Sequence, residues 1–311
     1  MAKVKSSMSS TKKRYAIIGF LFASPWIIGF IIFQLYPIAI SIYNSFTDFN
    51  IFQTAKWIGL KNYIELFRDE KYFKSLYNTM YMTLIGTPIT LLAGLISAIL
   101  LNTKVKGMSF FRTVFYIPNI VPAIASAMLW LWILDPQYGL INTILRQLSL
   151  PQPNWLVDPK LTKPSMILMS IWRTGGIMII FLAALQDVPK SLYEAAEVDG
   201  ASRWSRFIHI TLPCISPIIL YQLIMGVITN LQSFSEVYIL SRANKTGLNE
   251  ASGGPENSLL FYSLYLYQNA FYYFKMGKAS AQAWIMFIIV ALITWLIFNT
   301  SHKWVTYGGE E

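Results

Sequence analysis

The chain has 311 residues, of which 55% are hydrophobic and 13% charged, with a mean hydropathy of +0.46 and a formal charge of +10. A soluble domain carries about a quarter charged residues, so this composition excludes one and marks an integral membrane protein. No basic motif with interleaved aromatics accompanies the charge. It therefore argues against a nucleic-acid partner, and Lys and Arg near membrane ends serve topology instead.

In chain order, Lys3, Lys5, Lys12, Lys13 and Arg14 stand among small polar residues, and residues 1–14 read as a short disordered basic tail. The apolar run from Tyr15 to Tyr36 is too long for a signal-peptide core and lacks a small-x-small cleavage site. It reads as a retained first span of a membrane domain covering 15–311. Five further runs reach the roughly 20 residues that cross hydrocarbon. They are Leu76–Leu101, Thr113–Leu134, Ser165–Leu185, Ile215–Leu240 and Ala279–Phe298. The expected fold is all-α, a polytopic membrane protein with six spans and both termini on one side. The tail, Lys104, Lys106, Arg112, Lys190, Arg203, Arg206 and Lys303 make the short segments on that side denser in positive charge, which places it in the cytoplasm.

The outer segments carry helical patterns of their own. Leu60, Ile64 and Phe67 recur at helical spacing, as do Ile141, Leu145 and Leu148, and both sets predict short amphipathic helices at the outer surface. Pro118 and Pro122 predict a bend in the third span near Asn119, where freed backbone groups can line a path. Trp130 and Trp132, farther along, suit either a sugar-stacking surface or an interfacial aromatic belt.

Polar residues inside the spans are costly and mark pathways or interhelical glue. Arg173 lies about eight residues into the fourth span, roughly 12 Å deep at 1.5 Å per residue. The Thr174-Gly175-Gly176 that follows loosens the helix. It reads as a translocation or gate residue, as an ion-pair partner of Glu236, or as both. Gln222, Asn230 and Ser233 fall on one face of the fifth span and lead toward Glu236. With Asn119 and Arg173 they form the candidate translocation pathway.

Enzyme chemistry finds no support. No phosphate-binding G-x-x-x-x-G-K-[ST] loop occurs, and Asn244-Lys245-Thr246-Gly247 lacks its glycine frame. His209 and His302, the two histidines, sit at span ends without a carboxylate or cysteine cluster, and the single Cys214 forms no intrachain disulfide. No catalytic residue and no metal ligand is assigned. An intramembrane hydrolase would need a nucleophile–base pair that is missing. A proton- or sodium-coupled carrier would need a titratable midplane site and inverted repeats, for which Arg173 and Glu236 are poor candidates.

Between the fourth and fifth spans lies a polar island. Ser191 and Glu194 predict a capping box, Gly200 a helix stop, Ser202 the cap of a second short helix through Trp204 and Phe207, and Pro213 the start of the next apolar run. Two short helices with a glycine elbow make a knob, and small Ala195 and Ala196 let another surface approach its backbone. Glu194-Ala195-Ala196, three residues, Gly200, nine residues and Ile210-x-Leu212-Pro213 resemble the signature loop of ABC importer permeases. Trp57-Ile58-Gly59-Leu60-Lys61-Asn62-Tyr63 and Tyr265-Leu266-Tyr267-Gln268-Asn269-Ala270-Phe271 are similar to stretches of the carbohydrate-importing branch.

The resemblance implies a type I ABC importer permease fold in the cytoplasmic membrane, with a coupling loop at 188–213. It implies a second related permease subunit, two ATPase subunits, an extracellular solute-binding protein and a carbohydrate substrate, most naturally an oligosaccharide. Glu194, Ala195, Ala196, Asp199 and Gly200 would dock the ATPase. ATP and Mg would be used by that partner, with no cofactor on this chain. Within importers, a non-sugar solute such as glycerol phosphate or a polyamine is the alternative.

Overall fold

The computed structural model describes residues 10–103, 106–243 and 253–306. Residues 1–9 of the expected tail, Lys104 and Asn244-Lys245-Thr246-Gly247 lie outside them. Helices α1 (Ser10–Phe30), α2 (Tyr36–Ser45), α3 (Lys61–Leu66), α4 (Glu70–Tyr81), α5 (Thr87–Leu101), α6 (Met108–Ile120), α7 (Ala123–Ile133) and α8 (Leu140–Gln147) form the first half. The second half holds α9 (Thr162–Trp172), α10 (Gly175–Asp187), α11 (Lys190–Val198), α12 (Arg203–Arg206), α13 (Leu212–Leu231), α14 (Ser235–Ala243), α15 (Tyr262–Tyr267) and α16 (Met276–Ser301). Among the described residues there is no strand, and two isolated bridges, Thr47 to Trp57 and Asn50 to Gln53, shape one connecting loop.

Four stretches are long and apolar enough to cross a membrane unbroken: Arg14–Ser45, Glu70–Leu101, Arg203–Leu231 and Met276–Ser301. Two bent pairs, α6 with α7 at 100° and α9 with α10 at 51°, bring the number to six when each pair counts as one broken span. The bend expected near Asn119 falls at Val121 and Pro122, whose backbone leaves the helical region. Pro122 starts a new helix there rather than kinking an old one. The fifth span also ends early. Expected to run to Leu240, it stops at Leu231, and the chain restarts at Ser235 as α14. The first span begins inside the expected tail, since Ser10–Arg14 is already helical.

Three of the long stretches share a device. A π turn at Ile31–Leu35, Met82–Gly86 and Phe207–Thr211 is followed two residues later by Pro37, Pro88 and Pro213. Proline has no N–H and its ring collides with the carbonyl four residues back. The wider turn, closed by the residue before each proline, lets the helix continue through it.

Helix α5 packs along α10, α2 along α16 and α14 on α7. A Cβ on Gly94 would sit 2.6 Å from Ile177, so glycine there brings α5 and α10 close. Leu95, Ala98, Met178, Phe181, Leu182, Leu185 and Ile215 fill the core at the knob end. Leu66, Tyr72, Leu134, Leu231, Phe261 and Tyr262 lie in the core at the opposite end.

That opposite end also holds a buried polar framework. Asn78 donates to the carbonyls of Asn257 and Leu260 at 2.8 and 2.9 Å, and Lys163 reaches its Oδ1 at 3.3 Å while lying over the rings of Tyr77 and Tyr81. Tyr262 donates its hydroxyl to the Gln282 carbonyl at 2.7 Å, and Asn269 donates to Gln282 Oε1 at 3.0 Å. Asp69, which caps α4, accepts from Lys278 Nζ at 2.7 Å and from the Tyr265 hydroxyl. Burial pushes the Asp69 carboxyl up, but the bonds from Lys278 and Tyr265 and the ammonium charge outweigh it, and it sits below the ordinary carboxylate value. Burial and the neighbouring carboxylate push the Tyr265 hydroxyl well above its ordinary range.

Asn62 ties the Trp57–Tyr63 stretch to the end of α2 by donating to the Ser45 and Thr47 carbonyls at 2.9 and 2.8 Å. The expected amphipathic helices form as α3 and α8. In α3 the buried residues are Asn62 and Leu66 and in α8 Asn142, while Leu60, Ile64, Phe67 and Leu148 stay exposed.

Candidate functional site

The knob starts differently from its sequence pattern. Pro189 precedes the first turn of α11 with extended backbone and no side-chain cap. Ser191 is therefore already helical, and an N-cap needs non-helical backbone, so the Ser191–Glu194 capping box does not form. The C-terminal half follows the pattern. Gly200 has φ +74°, the Ala201 N–H bonds the Ala196 carbonyl at 2.9 Å, and the Gly200 N–H bonds the Glu197 carbonyl at 3.1 Å. This is a Schellman stop, in which the left-handed residue satisfies carbonyls the helix leaves open. Ser202 Oγ accepts the Ser205 N–H at 3.2 Å and caps α12 as expected. The second helix is not a separate short one, however. It passes through the π turn at Phe207–Thr211 into α13 as one stretch from Arg203 to Leu231.

Glu194, Ala195, Asp199 and Gly200 are exposed and Ala196 is half-buried. Val198 is 88% exposed, and Leu192 and Trp204 are exposed beside it. No buried residue lies in α11. The helix thus presents small residues, acidic side chains and uncovered apolar ones together.

The second feature is a cavity of about 730 Å³ between the broken helices. Asn119, Arg173, Gln222, Asn230, Ser233 and Glu236, the six candidate pathway residues, all line it. Arg173 ends α9 at the 51° break, and Glu236 sits in the first turn of α14 just past the break after Leu231. The Arg173 guanidinium donates to the Glu236 carboxylate, so the ion pair joins two helix breaks across the cavity wall. Glu236 also lies where a helix N-terminus favours negative charge. Asn230 donates to Thr87 Oγ1 at 2.8 Å, fixing its amide against α5.

Two lining residues carry an unmatched donor: Arg173 Nε and Gln222 Nε2 are buried and have no hydrogen-bond partner among the described residues. A buried unpaired donor costs about 1–3 kcal/mol. The lining can thus hold a neutral, oxygen-rich molecule: its one cation is matched by its one anion, and its remaining groups are amides, hydroxyls and apolar side chains.

The tryptophans take no part. Trp130 is buried with its ring edge-on to Trp172 at 5.9 Å, Trp132 is exposed, and neither lines the cavity. Thr90 and Ser170 line it as well and were passed over in the sequence. The signal for Thr90 was its place one turn from Thr87 in a largely apolar helix.

Residues 90–306 match the family model described as binding-protein-dependent transport system inner membrane component. The chain is 43% identical over 311 residues to the probable ABC transporter permease protein YesP of Bacillus subtilis (strain 168), covering 99% of this chain and 97% of that one. It is 34% identical to the lactose transport system permease protein LacF of Rhizobium radiobacter, covering 96% and 98%. The fold matches the crystal structure of a bacterial ABC transporter involved in the import of the acidic polysaccharide alginate, with TM-score 0.76, 25% identity and coverage of 94% and 96%. The chain belongs to the family of binding-protein-dependent transport system inner membrane components. It is a multi-pass permease subunit of an ABC importer, a transport component and not an enzyme.

Proposed function

We propose that this permease passes a carbohydrate, an oligosaccharide, across the cytoplasmic membrane through the cavity between its broken helices. A second related permease subunit completes the path, an extracellular solute-binding protein delivers the sugar, and two ATPase subunits dock on the knob. Glu194, Ala195, Ala196, Asp199 and Gly200 form that docking surface, and ATP with Mg is used on the partner. Both termini are cytoplasmic in this reading, on the side of the knob.

The observation that carries the substrate reading is the polar lining of one cavity by Asn119, Arg173, Gln222, Asn230, Ser233 and Glu236. Sugar hydroxyls can pair with its amides and hydroxyls and donate to Glu236. Relatives named for transport of lactose, arabinooligosaccharides and trehalose/maltose support the same class. Nucleotide-driven closure of the ATPase pair would tilt the knob and the spans above it between two states.

The test is uptake of a labelled glycan panel by cells lacking this chain and by cells carrying it. Loss of one oligosaccharide class identifies the substrate, and uptake of every glycan unchanged overturns the reading. Orientation is checked in a Cys214→Ser background. Val198→Cys should be shielded from an impermeant thiol reagent in intact cells, while Phe52→Cys, 73% exposed at the opposite end, should react.

A further inference from the structure

The way α11 is joined to the fifth span points to the residues that carry the knob's motion. Among the described residues, two side-chain bonds link α11 to the stretch that becomes α13. The Tyr193 hydroxyl meets Thr211 Oγ1 at 2.8 Å, and Arg206 Nη1 meets Glu197 Oε2 at 3.3 Å. Tyr193 and Glu197 are four apart, so they share one face of α11. Arg206 and Thr211 bracket the π turn Phe207–Thr211, one on each side of its span. One turn of α11 therefore grips the π turn at both ends.

That turn needs a brace. It is closed by the Leu212 N–H on the Phe207 carbonyl, and the following Pro213 has no N–H to give the His209 carbonyl. The helix is short of ladder bonds just where motion of the knob must enter the fifth span. The two ties differ in strength. Glu197 is 74% exposed, and a surface ion pair contributes little. Tyr193 packs beside the core cluster of Leu185, Val188 and Ile215, and Thr211 is buried. Thr211 Oγ1 also lies 3.5 Å from the Arg206 carbonyl, so its own proton has an acceptor there while it accepts from Tyr193.

We propose that Tyr193 is a positioning residue for transport: its bond to Thr211 locks the π turn so that the knob and the fifth span move as one lever. The inference rests on the reading of the knob as the ATPase-docking surface. It is tested in the assembled importer, in a Cys214→Ser background, with nitroxide labels at Ser191→Cys and Tyr221→Cys. Both positions are exposed in the chain, Ser191 on α11 outside the docking residues and Tyr221 on α13.

With Tyr193 present, the label pair should show one narrow distance, the same with and without ATP and vanadate. Tyr193→Phe and Thr211→Val should each add a second distance when nucleotide is trapped, while the ATPase subunits stay bound. The double variant should add nothing further, because both remove one bond. Thr211→Ser, which keeps the hydroxyl, should restore the single distance. If Tyr193→Phe keeps the single distance, or if the parent pair itself shifts with nucleotide, the lever is wrong. If the parent complex retains no ATPase subunit, the docking reading fails instead.

Discussion

Two buried glutamines mark the difference between the two polar regions of this protein. Gln282, in the framework opposite the knob, accepts from Asn269 at 3.0 Å and donates to the Tyr262 carbonyl at 3.3 Å. Gln222, on the cavity wall, is 6% exposed and its Nε2 has no partner. The same side chain is a cross-brace in one place and an unfinished bond in the other. Buried polar groups that are paired hold an architecture together, and Gln222 has a lining position with its amide donor uncommitted.

The largest test of that contrast is at Asp69. Asp69→Leu would leave the Lys278 ammonium, 10% exposed, without its counter-charge, and should lower stability by up to about 3 kcal/mol. Asp69→Leu with Lys278→Met should recover much of the loss, since the pair is then replaced by packing. The thermal midpoint of the purified protein reads both. Its pH dependence follows from the shifts. Asp69 is depressed in the fold, so its contribution is present above the ordinary carboxylate value and lost as pH falls below about 4. Tyr265 is raised, so its contribution is present below the ordinary phenol value and lost as pH rises above about 10. The contribution of this site should be level between those limits, and Asp69→Asn should remove its acid limb.

Next come the glutamines themselves. Gln282→Leu strands the Asn269 amide and the Tyr262 carbonyl and should cost about 2 kcal/mol. Gln222→Leu removes an orphaned donor and should leave stability unchanged or raise it by up to about 1 kcal/mol, while uptake falls. Loss of stability in both would place Gln222 in the architecture and remove it from the pathway.

At Arg173 the effect is read in transport. A charge-assisted bond contributes about 1.5–3 kcal/mol, so Arg173→Gln should lower uptake roughly tenfold or more with the ATPase subunits retained. Disassembly of the complex would mean that the Glu236 pair only holds helices together.

How much of this was legible in the sequence differs between the regions. The six candidate pathway residues, which share one cavity, were legible because a polar residue in a lipid-crossing run has few reasons to be there. The Arg173–Glu236 pair was legible as one of two readings. The break that sets Glu236 on its own helix was not, because Gln232–Phe234 carries no proline or glycine. Asp69, Tyr265 and Lys278 were invisible as a group. They lie in three segments near 69, 265 and 278, and one residue in a loop looks solvated until the helices converge. The capping box failed for a local reason: Pro189, two residues before Ser191, starts the helix first.

That failure sharpens the smallest prediction, at Glu194 and Gly200. Glu194 is exposed and caps nothing, so Glu194→Gln and Glu194→Ala should have equal and near-zero effects on stability. They should differ in docking. Charge-assisted hydrogen bonds are about twice as strong as neutral ones, so a basic partner would hold glutamate better than glutamine and glutamine better than alanine. Gly200 provides the converse. A Cβ there meets no atom within 4 Å, so Gly200→Ala meets no clash and bears only the strain of φ +74°, about 1 kcal/mol. That strain falls on the angle at which the knob is presented. Retention of the ATPase subunits on the purified complex, set against the thermal midpoint, separates the cases. Equal retention for all three residues at position 194 would show that the acidic charge contributes nothing to docking. The exposed Val198 and the small Ala195 and Ala196 would then be what the partner grips.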